Sequence, residues 1–434
     1  MPINEEQEKT IQKLIRIMTK VKSPVFIIVF AILNIFALRN FFLLSRDMMY
    51  GDFSAQLLFP LPIYAPERIP QTPLTMEYQA ANRLGADFAQ IYFPAQETSQ
   101  LDNAYTGYVS LDPWRQPSRY APLVLVLCSK TLCKLDYGYA SFGNILLQLL
   151  LFFPTLYFVF RSLDIRRYFL AAFMFTEFIL LLTPVGLSWF ERAQFSLYVT
   201  ISYLLLLFGL TRNNPILIIV SAGFAFIKWT SLPLIFIVLA VYIFTSNSKK
   251  EAQHNLILAS IFGLVIALLL LPLINVDIPF IRGLIDQEIS RYPLGLSLAI
   301  FMPRPMVKSL PFALIIFGYI IARINKSNFI DVFPFLTGAA IILLLYPTVA
   351  FDYSVPTILG LIPLLIFWVK QLASNQHAIG NLVLLLFLLF VVLASFSTRL
   401  TGSVAIMVII YLAFSILLMT VPIIFARHAK KTMF

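Results

Sequence analysis

Charge is scarce in this chain. Of its 434 residues only 12% are Asp, Glu, Lys or Arg, while 59% are hydrophobic. Soluble domains carry about twice that charged share, so a water-soluble core of this size would lack its polar shell. Histidine and cysteine are scarcer still, with three and two copies. Cys128 and Cys133 are too few for a disulfide framework and have no metal-site partners, so they read as ordinary apolar residues. HExxH, Walker and GxGxxG patterns are absent, which leaves a soluble-type protease or nucleotide site without support. No metal and no cofactor are expected. The apolar runs do not alternate, which argues against a β-barrel and leaves the α-helix as the spanning element.

What is present is a series of apolar runs, many of them near 20 residues, the length that crosses a hydrocarbon core of roughly 30 Å. They fall at about 24–44, 139–160, 168–187, 195–211, 215–229, 231–245, 254–275, 309–323, 329–346, 355–370, 378–396 and 404–425. Residues 121–136 are apolar but short, carry Lys130 and Lys134, and are compatible with a crossing, a re-entrant turn or an interfacial segment. The expected fold is an all-α polytopic membrane protein with about twelve transmembrane helices.

The formal net charge is +11. Because the basic residues sit in short breaks between apolar runs, this reads as positive-inside topology rather than nucleic-acid binding. Placing the breaks 161–167, 246–250, 322–327 and 426–431 inside works if 121–136 does not cross, and it puts both termini in the cytoplasm. The three histidines, His254, His377 and His428, then lie at cytoplasmic ends. Residues 1–22 read as a basic amphipathic segment on the inner surface, 23–425 as the membrane domain and 426–434 as a basic tail. No cleavage site follows the first run, which should act as a signal anchor in a cell inner membrane. Residues 45–120 form the longest polar stretch and are expected outside.

Several residues in the outward breaks could carry chemistry. Asp52 follows the first span and is placed to act as a general base; it could equally cap a helix or pair with Arg46, and Asp47 competes with it. Arg119 and Tyr120 sit at a proline-flanked entry to an apolar segment, a common interfacial pattern. Arg192 and Gln194 stand at a helix start, where guanidinium and amide donors can hold a phosphate or a sugar hydroxyl, or form an ordinary turn. Lys228 lies inside the apolar stretch 215–245. An ammonium at the bilayer centre costs roughly 2.5–3.5 kcal/mol, and Pro233 suggests a break that would bring it to the outer boundary. Arg304 and Asp352 lie in later outward breaks. Arg304, with Arg282 and Arg291, could meet an anion or pair with Asp277, Asp286 and Glu288.

In order and spacing these residues resemble the family 87 glycosyltransferases, polytopic enzymes of the C-type glycosyltransferase fold that include polyprenyl-phosphate-mannose-dependent mannosyltransferases. The resemblance runs over roughly 24–370. Asp52-Phe53 is similar to the family's aspartate-aromatic pair, and Tyr120-Ala121-Pro122 to its Tyr-Pro-Pro entry. Ala193-Gln194-Phe195-Ser196 resembles Gly-Gln-x-Asn, Lys228-Trp229-Thr230 resembles Lys-Pro-Thr, and Asp352-Tyr353 resembles a late span-mouth motif. Ala121, Ala193, Ser196 and Trp229 depart from it. The resemblance implies inverting transfer of a hexose, mannose-like, or a pentose from a polyprenyl-phosphate donor to a lipid or glycan acceptor at the outer face. Asp52 would be the base, Lys228 and an outer arginine would meet the donor phosphate, and the partners would be these substrates and membrane lipid. A lipid-linked polysaccharide polymerase or ligase and a secondary transporter are the rival classes.

Overall fold

A computed structural model describes residues 24–50, 85, 87–96, 105, 118, 120–271, 294–295, 297–325, 328–346, 349–350, 352–372, 376–396 and 404–431. The amphipathic segment 1–22, Asp52, Arg119, most of the loop 45–120, the arginine and acid group of 277–291 and the tail beyond 431 lie outside the described residues.

Fifteen α-helices account for nearly all of what is described. α1 is Pro24–Tyr50, α2 Ala89–Gln96, α3 Pro122–Lys130, α4 Tyr137–Ser162, α5 Phe169–Leu182 and α6 Pro184–Glu191. α7 is Ser196–Thr211, α8 Pro215–Ile227, α9 Leu232–Phe244, α10 Lys249–Leu270 and α11 Arg304–Asn325. α12 is Phe333–Leu343, α13 Ile362–Gln371, α14 His377–Ser395 and α15 Val404–Lys431. A two-residue parallel pairing of β1, Leu294–Gly295, with β2, Val349–Ala350, is the sheet content among the described residues.

Burial identifies the solvent. α7 is buried on every side from Ser196 to Leu210, so it is a central helix with no face left for water. The outer helices bury one stripe and expose the other, and the exposed stripe is itself apolar: Leu146, Leu147 and Leu150 on α4, Ile257, Leu264 and Leu268 on α10, Phe312 and Ile316 on α11. Apolar exposure on this scale is stable only against hydrocarbon. Tyr137–Ser162, Lys249–Leu270, Arg304–Arg323, Ser354–Gln371, His377–Ser395 and Val404–Ile423 are each long and apolar enough to cross a membrane. α5 and α6, with the turn before α5, form a further candidate, bent by 69°. The chain is a polytopic helical membrane protein.

Each run expected to span carries helix. Four of these helices, α7, α8, α9 and the Phe329–Leu343 segment containing α12, have only 10–17 residues. Proline at the first turn of α6, α8, α9, α12 and α13 sets where each new helix can begin. With lipid as solvent, packing replaces hydrophobic exclusion between helices. A methyl group on Gly338 of α12 would sit 2.6 Å from the Ser415 carbonyl of α15, so only glycine permits that approach. Ser202 of α7 and Ser221 of α8 donate to each other's carbonyls at 3.0 and 2.8 Å.

Residues 121–136 hold no helix long enough to cross a membrane. α3 has nine residues, about 14 Å at 1.5 Å per residue, and a 3₁₀ turn at Leu132–Lys134 follows it. Cys128 and Cys133 are not ordinary apolar residues: they form a disulfide, because the turn at Thr131 brings their Cα atoms to 5.1 Å.

Among the described residues, the breaks 161–167 and 246–250 meet at one end of the bundle, with Phe329, just past 322–327, against Tyr242. Lys370 donates to the carboxylate of Asp164 at 2.7 Å and to its carbonyl at 2.8 Å, and holds that carboxyl below the usual carboxylate range. Arg212 donates to the Ser162 carbonyl, Tyr242 to Asn213 and Asn255 to the Tyr242 carbonyl. The disulfide, α2 and the α6–α7 junction lie toward the opposite ends of these same helices.

Candidate functional site

Three separate stretches meet at that opposite end: the turn before α2, the α6–α7 junction and the α8–α9 break. The first is hooked to the second through backbone. Gly85, in the left-handed region at φ 87°, donates its N–H to the Glu191 carbonyl at 2.6 Å, and Asp87 donates to the Arg192 carbonyl at 3.1 Å. Tyr137, the first residue of α4, donates its hydroxyl to the Gly85 carbonyl at 2.6 Å. The α6–α7 junction is held from below by α4. Asn144 donates to the Ala193 carbonyl at 3.0 Å, and Gln148 accepts from the Leu197 N–H at 3.3 Å.

Side chains complete the cluster. Gln194 Nε2 donates to Asp87 Oδ2 at 2.8 Å. Gln194 Oε1 accepts from Lys228 Nζ and from the Phe195 N–H. An Arg192 guanidinium nitrogen lies 3.7 Å from Asp87 Oδ1, and Arg192 Nε lies 4.0 Å from Glu191 Oε2. Asp87, Glu191, Arg192 and Gln194 are all buried. A carboxylate so deep in an apolar fold is costly unless paired and hydrogen-bonded, and Asp87 is both. Arg192 supplies the counter-ion and Gln194 the hydrogen bond that let the Asp87 carboxylate be buried.

Lys228 owes its place to a helix end. α8 stops at Ile227, and Lys228 caps it in an extended conformation at φ −139° and ψ 105°. A 3₁₀ turn at Trp229–Ser231 follows before α9 starts. The break expected from Pro233 therefore occurs, and Lys228 stands at it rather than inside a continuous helix. Tyr120 belongs to the same neighbourhood through an aromatic wall, its ring 4.7 Å from that of Phe195, which also stacks on Phe88 at 6.2 Å.

Of the residues singled out from sequence, Arg192, Gln194 and Lys228 come together, with Tyr120 one ring away. Arg304 opens α11 and is half-buried. Asp352 opens the 3₁₀ helix Asp352–Leu361, an element that packs on α6 and α7 and accepts a hydrogen bond from Thr200 at the Pro356 carbonyl. Asp47, the competitor of Asp52, is engaged by Arg46 at 3.0 Å. Asp87 was missed. Its signal was present, since Asp87-Phe88 repeats the aspartate-phenylalanine pair seen at Asp52-Phe53.

Ala193 occupies a position that suits glycine. Its φ is 49°, in the left-handed region that costs a residue with a Cβ roughly 1–2 kcal/mol. Gly costs about 0.5–1 kcal/mol of backbone entropy in return. Ala193→Gly should therefore raise stability by about 0.5 kcal/mol, read as a small increase in unfolding temperature. Ala193→Val should lower it clearly, because a β-branched side chain fits that region worst.

No protein-family model, curated protein or solved structure matches this chain.

Proposed function

We propose that this protein is a glycosyltransferase of the C-type fold, with about twelve spans. It would move a hexose, mannose-like, or a pentose from a polyprenyl-phosphate donor to a lipid or glycan acceptor, with inversion. The observation that carries the reading is the cluster of Lys228, Gln194, Asp87 and Arg192, assembled where three chain breaks meet at one end of the helical bundle. A lipid-phosphate donor keeps its tail in the bilayer and presents its sugar at the interface. Lys228 and Arg192 stabilise the phosphate as it leaves with negative charge. Gln194 joins that cation to the carboxylate of Asp87 and holds both in register. Asp52, beyond the end of α1, takes the proton of the acceptor hydroxyl as its oxygen attacks the anomeric carbon. The carbon–phosphate-oxygen bond breaks as the new glycosidic bond forms.

We place this end of the bundle outside the inner membrane. Disulfides persist in oxidising compartments, and the basic breaks 161–167 and 246–250 meet at the other end, as cytoplasmic loops do. In intact cells, Cys128 and Cys133 should react with a membrane-impermeant maleimide only after an impermeant reductant is added. Reaction that requires breaking the membrane would reverse the orientation. Reduction should also lower stability by about 2 kcal/mol, given the short loop that the bond closes.

Purified protein supplied with a panel of radiolabelled polyprenyl-phosphate sugars should transfer label or release free lipid phosphate with one of them. A folded protein that binds none of the panel would overturn the reading.

A further inference from the structure

Beside the cluster, on the flank formed by α2, α3 and the disulfide turn, lies an open hollow of about 400 Å³. Its frame is fixed from within. Tyr92 of α2 donates to the Leu135 carbonyl at 2.9 Å, and Gln96 donates to the Cys133 carbonyl at 2.5 Å. Ser129 donates to the Val126 carbonyl at 2.8 Å, and the Cys128–Cys133 bond closes the turn between them. The neutral polar groups of the wall are thus already used on backbone carbonyls.

The charges are not used in that way. Lys130 and Lys134 line the hollow, both are exposed, and neither forms an ion pair among the described residues. Asp136 stands at the edge, also exposed, and leaves the hollow with an excess of one positive charge. One lysine has a local explanation: Lys130 lies in the last turn of α3, where a cation meets the negative end of the helix dipole. Lys134 ends only a three-residue 3₁₀ turn and has no anionic partner among the described residues. Next to the two ammonium groups, Leu127, Leu135 and Tyr139 expose 56%, 49% and 41% of their surface. A short helical segment with exposed leucines beside exposed lysines, Leu135 on the wall of the same hollow, suits the boundary between acyl chains and headgroups.

We propose that this hollow binds the phosphate of an anionic lipid headgroup, in the leaflet at the disulfide end. Lys130 and Lys134 hold the phosphate, and the acyl chains lie against Leu127 and Leu135. The site is separate from the proposed donor site and requires only that the chain spans a membrane. A free phosphate would meet the same two lysines but would leave the leucines bare, which favours the lipid.

The full-length protein, purified from a mixture of phosphatidylglycerol and phosphatidylcholine, tests this by native mass spectrometry. The unaltered chain should retain phosphatidylglycerol in preference. Lys130→Gln/Lys134→Gln should reduce that retention roughly 30-fold, as expected for two basic residues at a membrane surface. Lys130→Arg/Lys134→Arg should keep it, which separates loss of charge from loss of fold. Lys249→Gln/Lys250→Gln, at the opposite end, should leave it unchanged. Equal retention by the unaltered chain and the double glutamine variant would overturn the proposal. So would equal thermal stabilisation by inorganic phosphate and by phosphatidylglycerol, since the lipid would then contribute nothing beyond its phosphate.

Discussion

Asp52→Asn should slow sugar transfer by about 10²–10⁴-fold, the usual contribution of a positioned general base, with donor binding and unfolding temperature unchanged. An acceptor hydroxyl is a poor nucleophile near neutral pH, and asparagine keeps the size of aspartate without accepting its proton. The discriminating comparison is Asp87→Asn. Asp87 accepts from Gln194 at 2.8 Å and lies 3.7 Å from Arg192, all three buried. Removing its charge leaves a buried guanidinium short of its counter-ion, a change that costs roughly 3 kcal/mol or more. Asp87→Asn should therefore lower the unfolding temperature as well as the rate, whereas Asp52→Asn lowers only the rate. Asp47→Asn is the control and should do little to transfer. Normal transfer by Asp52→Asn, together with a stable but inactive Asp87→Asn, would move the base to Asp87. Normal transfer by both would direct the search to Asp352.

Lys228→Met should fold and should weaken both donor binding and transfer, with kcat/KM down about 10²–10³-fold, the scale of losing one charge-stabilising donor. The fold tolerates the change because Gln194 Oε1 still accepts from the Phe195 N–H, so the Gln194–Asp87 bond survives. Methionine also removes a cation that is expensive near lipid. Lys228→Arg should recover part of the loss, because charge returns in a different shape. A shift in stability with transfer intact would mark Lys228 as a headgroup-facing lysine and would remove it from the donor site.

Lys228 also shows how far the sequence could be read. A lone cation in the run 215–245, with Pro233 close behind, announced a break, and the break is there. Arg192 and Gln194 were legible as a polar interruption between two apolar runs. Asp87 was not, because its partners are Gln194 and Arg192, more than 100 residues away along the chain. The aspartate-phenylalanine pair occurs twice in that polar stretch, at Asp52-Phe53 and Asp87-Phe88, and the local pattern does not mark which aspartate packing will bury. The cysteines failed for a different reason. Counting them ruled out a framework of disulfides, yet one bond needs only a turn that brings two Cα atoms together.

By itself the sequence determined the apolar surroundings, the helical class and most of the breaks, though not the 69° bend at Thr183 inside the run 168–187. These follow from summed hydropathy and from proline placement, which are local properties that lipid enforces residue by residue. Only the tertiary structure decided that 121–136 breaks into two short helices, that Cys128 and Cys133 are joined, and that Asp87, from a distant loop, joins Glu191 in pairing with Arg192. These depend on contacts between distant segments, where the cost of a buried charge is settled by whichever partner the packing delivers.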